Sequence, residues 1–210
     1  MIYWLIGQPG SGKSTLARRL KEKLDSDNMP AIHLDGDALR KIFEVPYTKE
    51  NLTKEYRIIQ TKTLQRFVAH IADQGINVVV STVNPYKDVR EEFKNSRKDI
   101  KEIYVTTDEV RGREHFHVKD FEMPKMNYIV IITHGKRKED DTFEILCSLL
   151  RRKVYITTIA ADKLDDYCKA AGNTKTFESL EEKEKWVKAE LATKNYGEYP
   201  SVYVEEKEVI

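Results

Sequence analysis

Cysteine is almost absent from this chain. Two in 210 residues, Cys147 and Cys168, are too few for a disulfide framework and have no metal-ligand spacing, so free thiols in a reducing compartment are expected. Both fall on the apolar sides of expected helices, where buried, unreactive thiols belong. No apolar run approaches the ~18 residues that mark a membrane span. The opening MIYWLIG lacks a basic leader and a small-residue cleavage site, so no secretory signal and a cytoplasmic setting are expected. Neither charge sign dominates: 36 Lys plus Arg stand against 35 Asp plus Glu, net +1. That balance argues against a strong grip on nucleic acid or anionic membrane.

The length suits one domain, or one domain with an appendage, and is enough to bury a core. Residues 153–210 hold nine Lys against twelve Asp and Glu. The remaining body, 1–152, is therefore mildly basic, compatible with anionic small molecules and equally with an ordinary solvated surface. Ile2–Ile6 reads as a buried strand closed by glycine punctuation. Ser14–Leu24 follows as an amphipathic helix, with Leu16, Leu20 and Leu24 four apart. Further strands are expected at Ala31–Leu34, Ile76–Val80, Lys101–Thr106 and Tyr128–Thr133. Helices are expected at Thr53–Gln74 (apolar face Leu64, Phe67, Val68, Ile71; stop at Gly75), Tyr86–Arg97 and Asp140–Arg151. Residues 108–126 lack a period and read as a loop or lid. Strands alternating with helices predict a three-layer α/β/α domain with a five-stranded, mainly parallel sheet over 1–152. After Arg152 the pattern changes to an α/β extension, 153–210. Strands are expected there at Val154–Ile159 and Ser201–Glu205, and helices at Ala161–Ala171 and Leu180–Leu191, the latter within a charge run that reads as a solvated face.

The strongest chemical signal is Gly7-Gln8-Pro9-Gly10-Ser11-Gly12-Lys13-Ser14, with Thr15 behind it. It matches the phosphate-binding loop (P-loop, Walker A) at every fixed position, with a strand before and a helix after. Its main-chain N–H groups and helix N-terminus suit a phosphate. Lys13 would reach the terminal phosphates of ATP and Ser14 would ligate Mg²⁺. The second signal is Leu34-Asp35-Gly36-Asp37-Ala38-Leu39-Arg40, at the carboxyl end of the second strand, where ligands sit in parallel sheets. One carboxylate can hold Mg²⁺ through water and the other can take a proton from an attacking hydroxyl. Arg40 can clamp an anion. The alternative is a surface Asp-Gly turn with Asp37 capping a helix. No later strand ends in an apolar run plus Asp, so Asp35 or Asp37 must do the metal work, which favours a small-molecule kinase over a motor ATPase or a GTPase. Third comes Ser81-Thr82-Val83-Asn84-Pro85-Tyr86-Lys87-Asp88-Val89-Arg90 at the end of the third strand, again at the crevice, or simply an Asn-Pro turn opening a helix. His115 and His117 alternate in the lid without a third ligand nearby and are read as incidental. Trp4 and Trp186 are read as packing residues.

In this order and spacing, the phosphate loop, the LDGDALR segment and the STVNPYKDVRE segment resemble adenylylsulfate kinases over about residues 1–133. The resemblance implies transfer from MgATP to the 3′-hydroxyl of adenosine 5′-phosphosulfate. It implies Asp37 as base, with Lys13 on the phosphates, Asp35 as magnesium or substrate contact, and Arg40 as substrate-phosphate contact. Asn84, Pro85 and Tyr86 would border the acceptor, Asn84 standing where the family usually has Ser. Tyr47 is the best match to the aromatic that stacks on the substrate adenine. Three family positions near the acceptor, an Asp-Arg pair and an Asn, here read Asn51, Leu52 and Glu55. Losing the Arg, where Leu52 stands, and gaining a carboxylate at Glu55 should weaken phosphosulfate binding about ten- to hundredfold. The family's Lys-Gly-Leu-Tyr lid stretch has no counterpart; Arg113 and Lys119 remain to cover the ATP phosphates, or are solvated loop cations.

The acceptor hydroxyl is therefore open to another nucleotide, a sugar or a modified base. A polynucleotide 5′-kinase is the rival, with a similar loop and an acidic-x-x-Arg motif. The weak basic balance argues against a strand-binding groove without excluding nucleic acid. A degenerate nucleotide-binding module is the non-enzyme reading, and a homodimer is left open.

Overall fold

The computed structural model describes residues 1–46, 48, 50–125, 127–133, 139–160, 173–177, 179–193 and 201–209. They form two compact units, Met1–Leu149 and Leu150–Ile210.

In the first unit the chain runs β1 (Ile2–Ile6), α1 (Lys13–Ser26), β2 (Ala31–Asp35), α2 (Gly36–Ile42), α3 (Lys54–Asp73), β3 (Asn77–Ser81), α4 (Lys87–Ser96), β4 (Ile100–Thr107), β5 (Tyr128–Thr133) and α5 (Glu139–Leu150). The five strands pair in the order β2-β3-β1-β4-β5, every pairing parallel. Strand β1 lies at the centre and is buried along its whole length. A strand covered on both faces must be apolar at every position, and IYWLI is. On one face Ile2, Trp4 and Ile6 pack with Val78 and Val80 of β3, Val68 and Ala72 of α3, and Tyr104 of β4. By alternation Tyr3 and Leu5 turn to the other face, toward α1, whose Leu16, Leu20 and Leu24 are buried. At ~1.5–3 kcal/mol for each fully buried large apolar side chain, these two layers hold the loop after β1 against a rigid base.

Two expectations for the helices need correcting. Phe67 does not belong to the buried stripe of α3: it is 47% exposed. Burial instead follows Gln65, Val68 and Ala72, so the stripe centres about 100° around the helix from Phe67. Gln65 is buried because its side-chain amide donates to the Val89 carbonyl of α4 at 2.9 Å. Second, the LDGDALR segment opens a seven-residue helix, α2, which the sequence marked only in the alternative reading of a capped helix. It has no buried residue, hence no apolar stripe to read.

Between α4 and β4 lies a fully buried ion pair. Arg90 Nε meets Glu102 Oε1 at 2.9 Å with both side chains at most 3% exposed, and Lys94 reaches Glu102 Oε2 at 2.6 Å. Arg90 also donates to the carbonyls of Asn84 (2.7 Å) and Glu122 (2.6 Å). Removing one partner from such a network strands a buried charge, which typically costs ~3–5 kcal/mol.

The second unit is a three-stranded antiparallel sheet, order β7-β6-β8, built from β6 (Arg152–Ala160), β7 (Asn173–Phe177) and β8 (Ser201–Val209), with the helix α6 (Leu180–Thr193). Trp186 packs on Phe177 with centroids 5.2 Å apart. Strand β7, sequence NTKTF, was not anticipated, because its short polar run carries no apolar alternation. The expected helix at Ala161–Ala171, Cys168 within it, lies outside the described residues. Cys147 is buried on α5. No helix among the described residues is long and apolar enough to cross a membrane.

Candidate active site

The site is at the carboxyl end of the parallel strands. The loop from Gly7 to Gly12 leaves β1 and enters α1 at Lys13. Gly7 has φ 143°, and a Cβ there would sit 2.1 Å from the Val105 carbonyl oxygen of β4. Only glycine passes so close to a neighbouring strand. Gly12, at φ 91° and ψ 8°, is the N-cap of α1 and brings no side chain to the helix end, leaving the first N–H groups to an outside anion.

Lys13 is 8% exposed. Its ammonium donates to the Gln8 carbonyl at 2.8 Å and to Ser11 Oγ at 3.3 Å. Burial pulls its pKa down from 10.5 to about 8, against the opposing pull of the Asp35 and Asp37 carboxylates and with Arg113 adding to the fall. Ser14 at the start of α1 donates to Asp35 Oδ2 at 2.6 Å. Thr15 is next on α1.

Asp35 ends β2 and caps α2. Its Oδ1 accepts from the N–H groups of Asp37 (3.0 Å) and Ala38 (3.2 Å), and its Oδ2 accepts from Ser14 and from Ser81 Oγ at 2.8 Å. Burial works to raise its pKa, but the Ser14, Ser81 and main-chain hydrogen bonds outweigh it and hold the carboxyl below the usual range. The helix cap is thus Asp35; Asp37, the capping residue of the alternative sequence reading, lies exposed in the first turn of α2. Arg40 is one turn further along the same helix.

A segment after β4 lies over the phosphate loop. The Gln8 side chain forms two hydrogen bonds with Val118, donating to its carbonyl and accepting from its N–H, both at 2.9 Å. His117 Nε2 meets the Pro9 carbonyl at 3.1 Å. Arg111 donates to the Gly10 carbonyl at 3.2 Å and is braced by Glu109 Oε2 at 2.8 Å. The Arg113 stem passes Gly10 so closely that a Cβ there would meet Arg113 Cβ at 3.3 Å. Sequence reading picked out Arg113 and Lys119. The structure brings Arg113 to the loop, adds Arg111, and leaves Lys119 exposed. Thr133 at the end of β5 closes the far side by donating to the Ser11 carbonyl at 3.1 Å. Neither Arg111, Gln8 nor Thr133 carried a periodicity or motif signal for these contacts, which span about a hundred residues.

The third group of residues follows β3. Asn84 has φ 43° and is 6% exposed, and its Oδ1 has no hydrogen-bond partner among the described residues. The Pro85 carbonyl accepts from Glu122 N at 2.9 Å. Glu122 Oε2 in turn accepts from Lys87 N at 2.7 Å. Tyr86 is 4% exposed. Burial raises its phenol pKa first; the charge of Asp120 and a hydrogen bond to it, together with Glu55, raise it further, and Arg57 opposes them. Lys54 lies 5.1 Å above the Tyr86 ring. Asn84, Pro85 and Tyr86 are thus gathered with the start of α3 and with Asp120, none of which sequence spacing linked. Tyr47 lies outside the described residues. Asn51 is bonded to Pro46 O (3.1 Å) and Leu52 is 37% exposed.

Residues 1–120 match the family model described as adenylylsulphate kinase. Cytidine diphosphoramidate kinase of Campylobacter jejuni is 33% identical over 108 residues, 51% of this chain and 61% of that protein. Adenylyl-sulfate kinase of Gloeothece citriformis is 33% identical over 105 residues, 49% of this chain and 56% of that protein. The chain thus spans little more than half the length of these relatives. The APS kinase of Mycobacterium tuberculosis, solved with AMPPNP and APS, superposes with a TM-score of 0.58 at 22% identity, covering 71% of this chain and 96% of that one, a likeness of fold. With the match extending through the phosphate loop, Asp35 to Arg40, and Asn84 to Lys119, this chain belongs to the adenylylsulphate kinase family.

Proposed function

We propose that this chain transfers the γ-phosphoryl group of ATP to a hydroxyl of a small, nucleotide-like acceptor. The observation that carries the reading is the junction of the phosphate loop with the end of β2. Buried Lys13 lies within electrostatic reach of Asp35 and Asp37, and Ser14 bonds Asp35 directly. The loop N–H groups and Lys13 would hold the β- and γ-phosphates, with Arg111 and Arg113 over them. Asp37 takes the proton of the acceptor hydroxyl as its oxygen attacks the γ-phosphorus, and ADP leaves with the electrons of the broken bond. The transition state spreads negative charge over the transferred group, so fixed N–H donors and cations do most of the work. Ser14 and Asp35 suit Mg²⁺: both offer hard oxygens, and Ser14 gives its proton to Asp35 while keeping its lone pairs for a cation. The bound ion would supply neutralising charge.

For the acceptor, adenylylsulfate is the first reading, resting on the family and on Arg40, Asn84 and Tyr86. A second reading is favoured by Glu55, whose charge is felt at Tyr86, and by the orphaned Oδ1 of Asn84. Carboxylate and amide oxygens suit N–H donors, which a terminal phosphoramidate carries and a sulfate lacks. The relative that acts on cytidine diphosphoramidate is as similar as the adenylyl-sulfate kinase. The test is phosphoryl transfer from labelled ATP across adenylylsulfate, a nucleoside diphosphoramidate, sugars and oligonucleotide 5′-ends. A labelled small nucleotide is the expected product. Label only on oligonucleotide ends would select the polynucleotide rival, and nucleotide binding without product from any acceptor would make the chain a binding module.

A further inference from the structure

The sheet order places β3 between β2, which ends in Asp35, and β1, which leads to Ser14. The intervening strand ends in Ser81, the register partner of Asp35. His33 lies two residues before Asp35, on the same face of β2, and its Nε2 is 2.8 Å from Ser81 Oγ. A line of polar groups thus runs His33–Ser81–Asp35–Ser14 across three elements.

Proton counting fixes its direction. An ionised carboxylate only accepts, and a serine hydroxyl has one proton. Ser14 and Ser81 each give theirs to Asp35 Oδ2. The Ser81–His33 contact then needs its proton from the imidazole, so the ring carries it on Nε2. With the proton on Nδ1 alone, Ser81 would donate to His33 and turn a lone pair on the Asp35 carboxylate.

We propose that His33 is a positioning residue for the phosphoryl-transfer site: by donating from Nε2 to Ser81 it commits the Ser81 proton to Asp35, and so fixes the carboxylate that orients Ser14 toward a divalent cation. The proposal rests on the kinase reading above. Asp35 Oδ1 meanwhile caps α2, which carries Asp37 and Arg40, so one fixed carboxylate sets both the metal-side hydroxyl and the helix of the proposed base. His33 touches neither substrate nor ion; its effect travels through Ser81.

Three variants test this: His33→Leu removes the donor, His33→Gln keeps an N–H at the place of Nε2, and Ser81→Ala breaks the middle of the line. Calorimetry gives the affinity for ATP with and without Mg²⁺. In His33→Leu and Ser81→Ala the gain in ATP affinity on adding Mg²⁺ is expected to fall ~10-fold, with metal-free ATP affinity within ~2-fold of wild type. The double variant should add nothing, because each change breaks the same line, and His33→Gln should restore most of the gain. Equal loss in His33→Gln and His33→Leu, or equal loss with and without Mg²⁺, overturns the proposal in favour of packing alone. Nitrogen NMR of the nucleotide-free protein is a second readout: a proton on Nε2 is expected, and an Nδ1–H ring overturns the relay. A wild-type protein that binds no ATP would sink the kinase reading instead, while the NMR result still decides the His33–Ser81 geometry.

Discussion

The proposed donor side of the site and the proposed acceptor side are built in different ways. The donor side, Gly7 to Ser14, is one continuous segment whose working groups are mostly main chain. It is backed by the buried β1 and closed by contacts to its backbone carbonyls from Arg111, His117 and Thr133 and by the Gln8 side chain on the Val118 backbone. The acceptor side is assembled from α2, the start of α3, Asn84–Tyr86 and Asp120, and its working groups are side chains. It is held by the Arg90 network, which ties Asn84 to Glu122. A backbone cradle admits few alternatives, because its shape depends on left-handed turns and close strand contacts. A bay of side chains can change its preference with one substitution, and Glu55 is the position at which to test that.

The two sides can be separated by mutation. Lys13→Ala should have the largest effect, lowering turnover ~1000-fold, the upper range for one preorganised cation or donor at a transferring group. Comparable turnover would break the donor assignment. Arg90→Ala should cost ~3–5 kcal/mol in urea unfolding, since Glu102 is left buried with Lys94 alone. At temperatures where the variant stays folded, acceptor affinity should fall more than ATP affinity; equal loss would mean the halves are not independent. Asp37→Asn should lower kcat at least ~100-fold with the KM for ATP little changed, and an unchanged kcat would remove Asp37 from the mechanism. Glu55→Arg should strengthen adenylylsulfate binding ~10-fold or more and leave ATP affinity alone, which sharpens the comparison by moving one side only.

The smallest effect is in pH. Lys13 holds its proton in folded and unfolded chains below about 8, but between about 8 and 10.5 the folded chain has released it while the unfolded chain retains it. Folding stability therefore rises with pH across that window, by linkage. ATP affinity runs the other way, because the phosphates need the ammonium: it should weaken above pH ~8 by up to about tenfold per unit, with proton uptake on binding. Calorimetry in two buffers of different ionisation enthalpy measures that uptake, and Lys13→Met should abolish it. Uptake that persists in this variant would assign the proton elsewhere.

The five parallel strands, the long helices and the donor loop were legible along the chain. Each rests on local chemistry: continuous apolar runs at β1 and β3, leucines four apart on α1, and glycines where only glycine fits. Helix α2 was read only as an alternative and β7 was missed because neither has an apolar stripe, and Phe67 was misplaced because α3 offers more apolar residues than one face buries. Among the side chains of the site, Asp35, Asp37, Arg40 and Lys13 were visible from position and type. Which of Asp35 and Asp37 caps α2 was not, since capping depends on backbone angles that neither residue announces.

The sequence by itself determined that a loop suited to a phosphate would follow the first strand, because that fitness is a property of eight consecutive residues and their main chain. Only the tertiary structure decided what surrounds it: that Ser81 lies between Asp35 and His33, that Gln8 clasps Val118, and that Arg111 crosses Gly10. Those contacts join residues 46 to 110 positions apart. They follow from the order in which parallel strands pack, a choice made by burial across the whole sheet and written in no single segment.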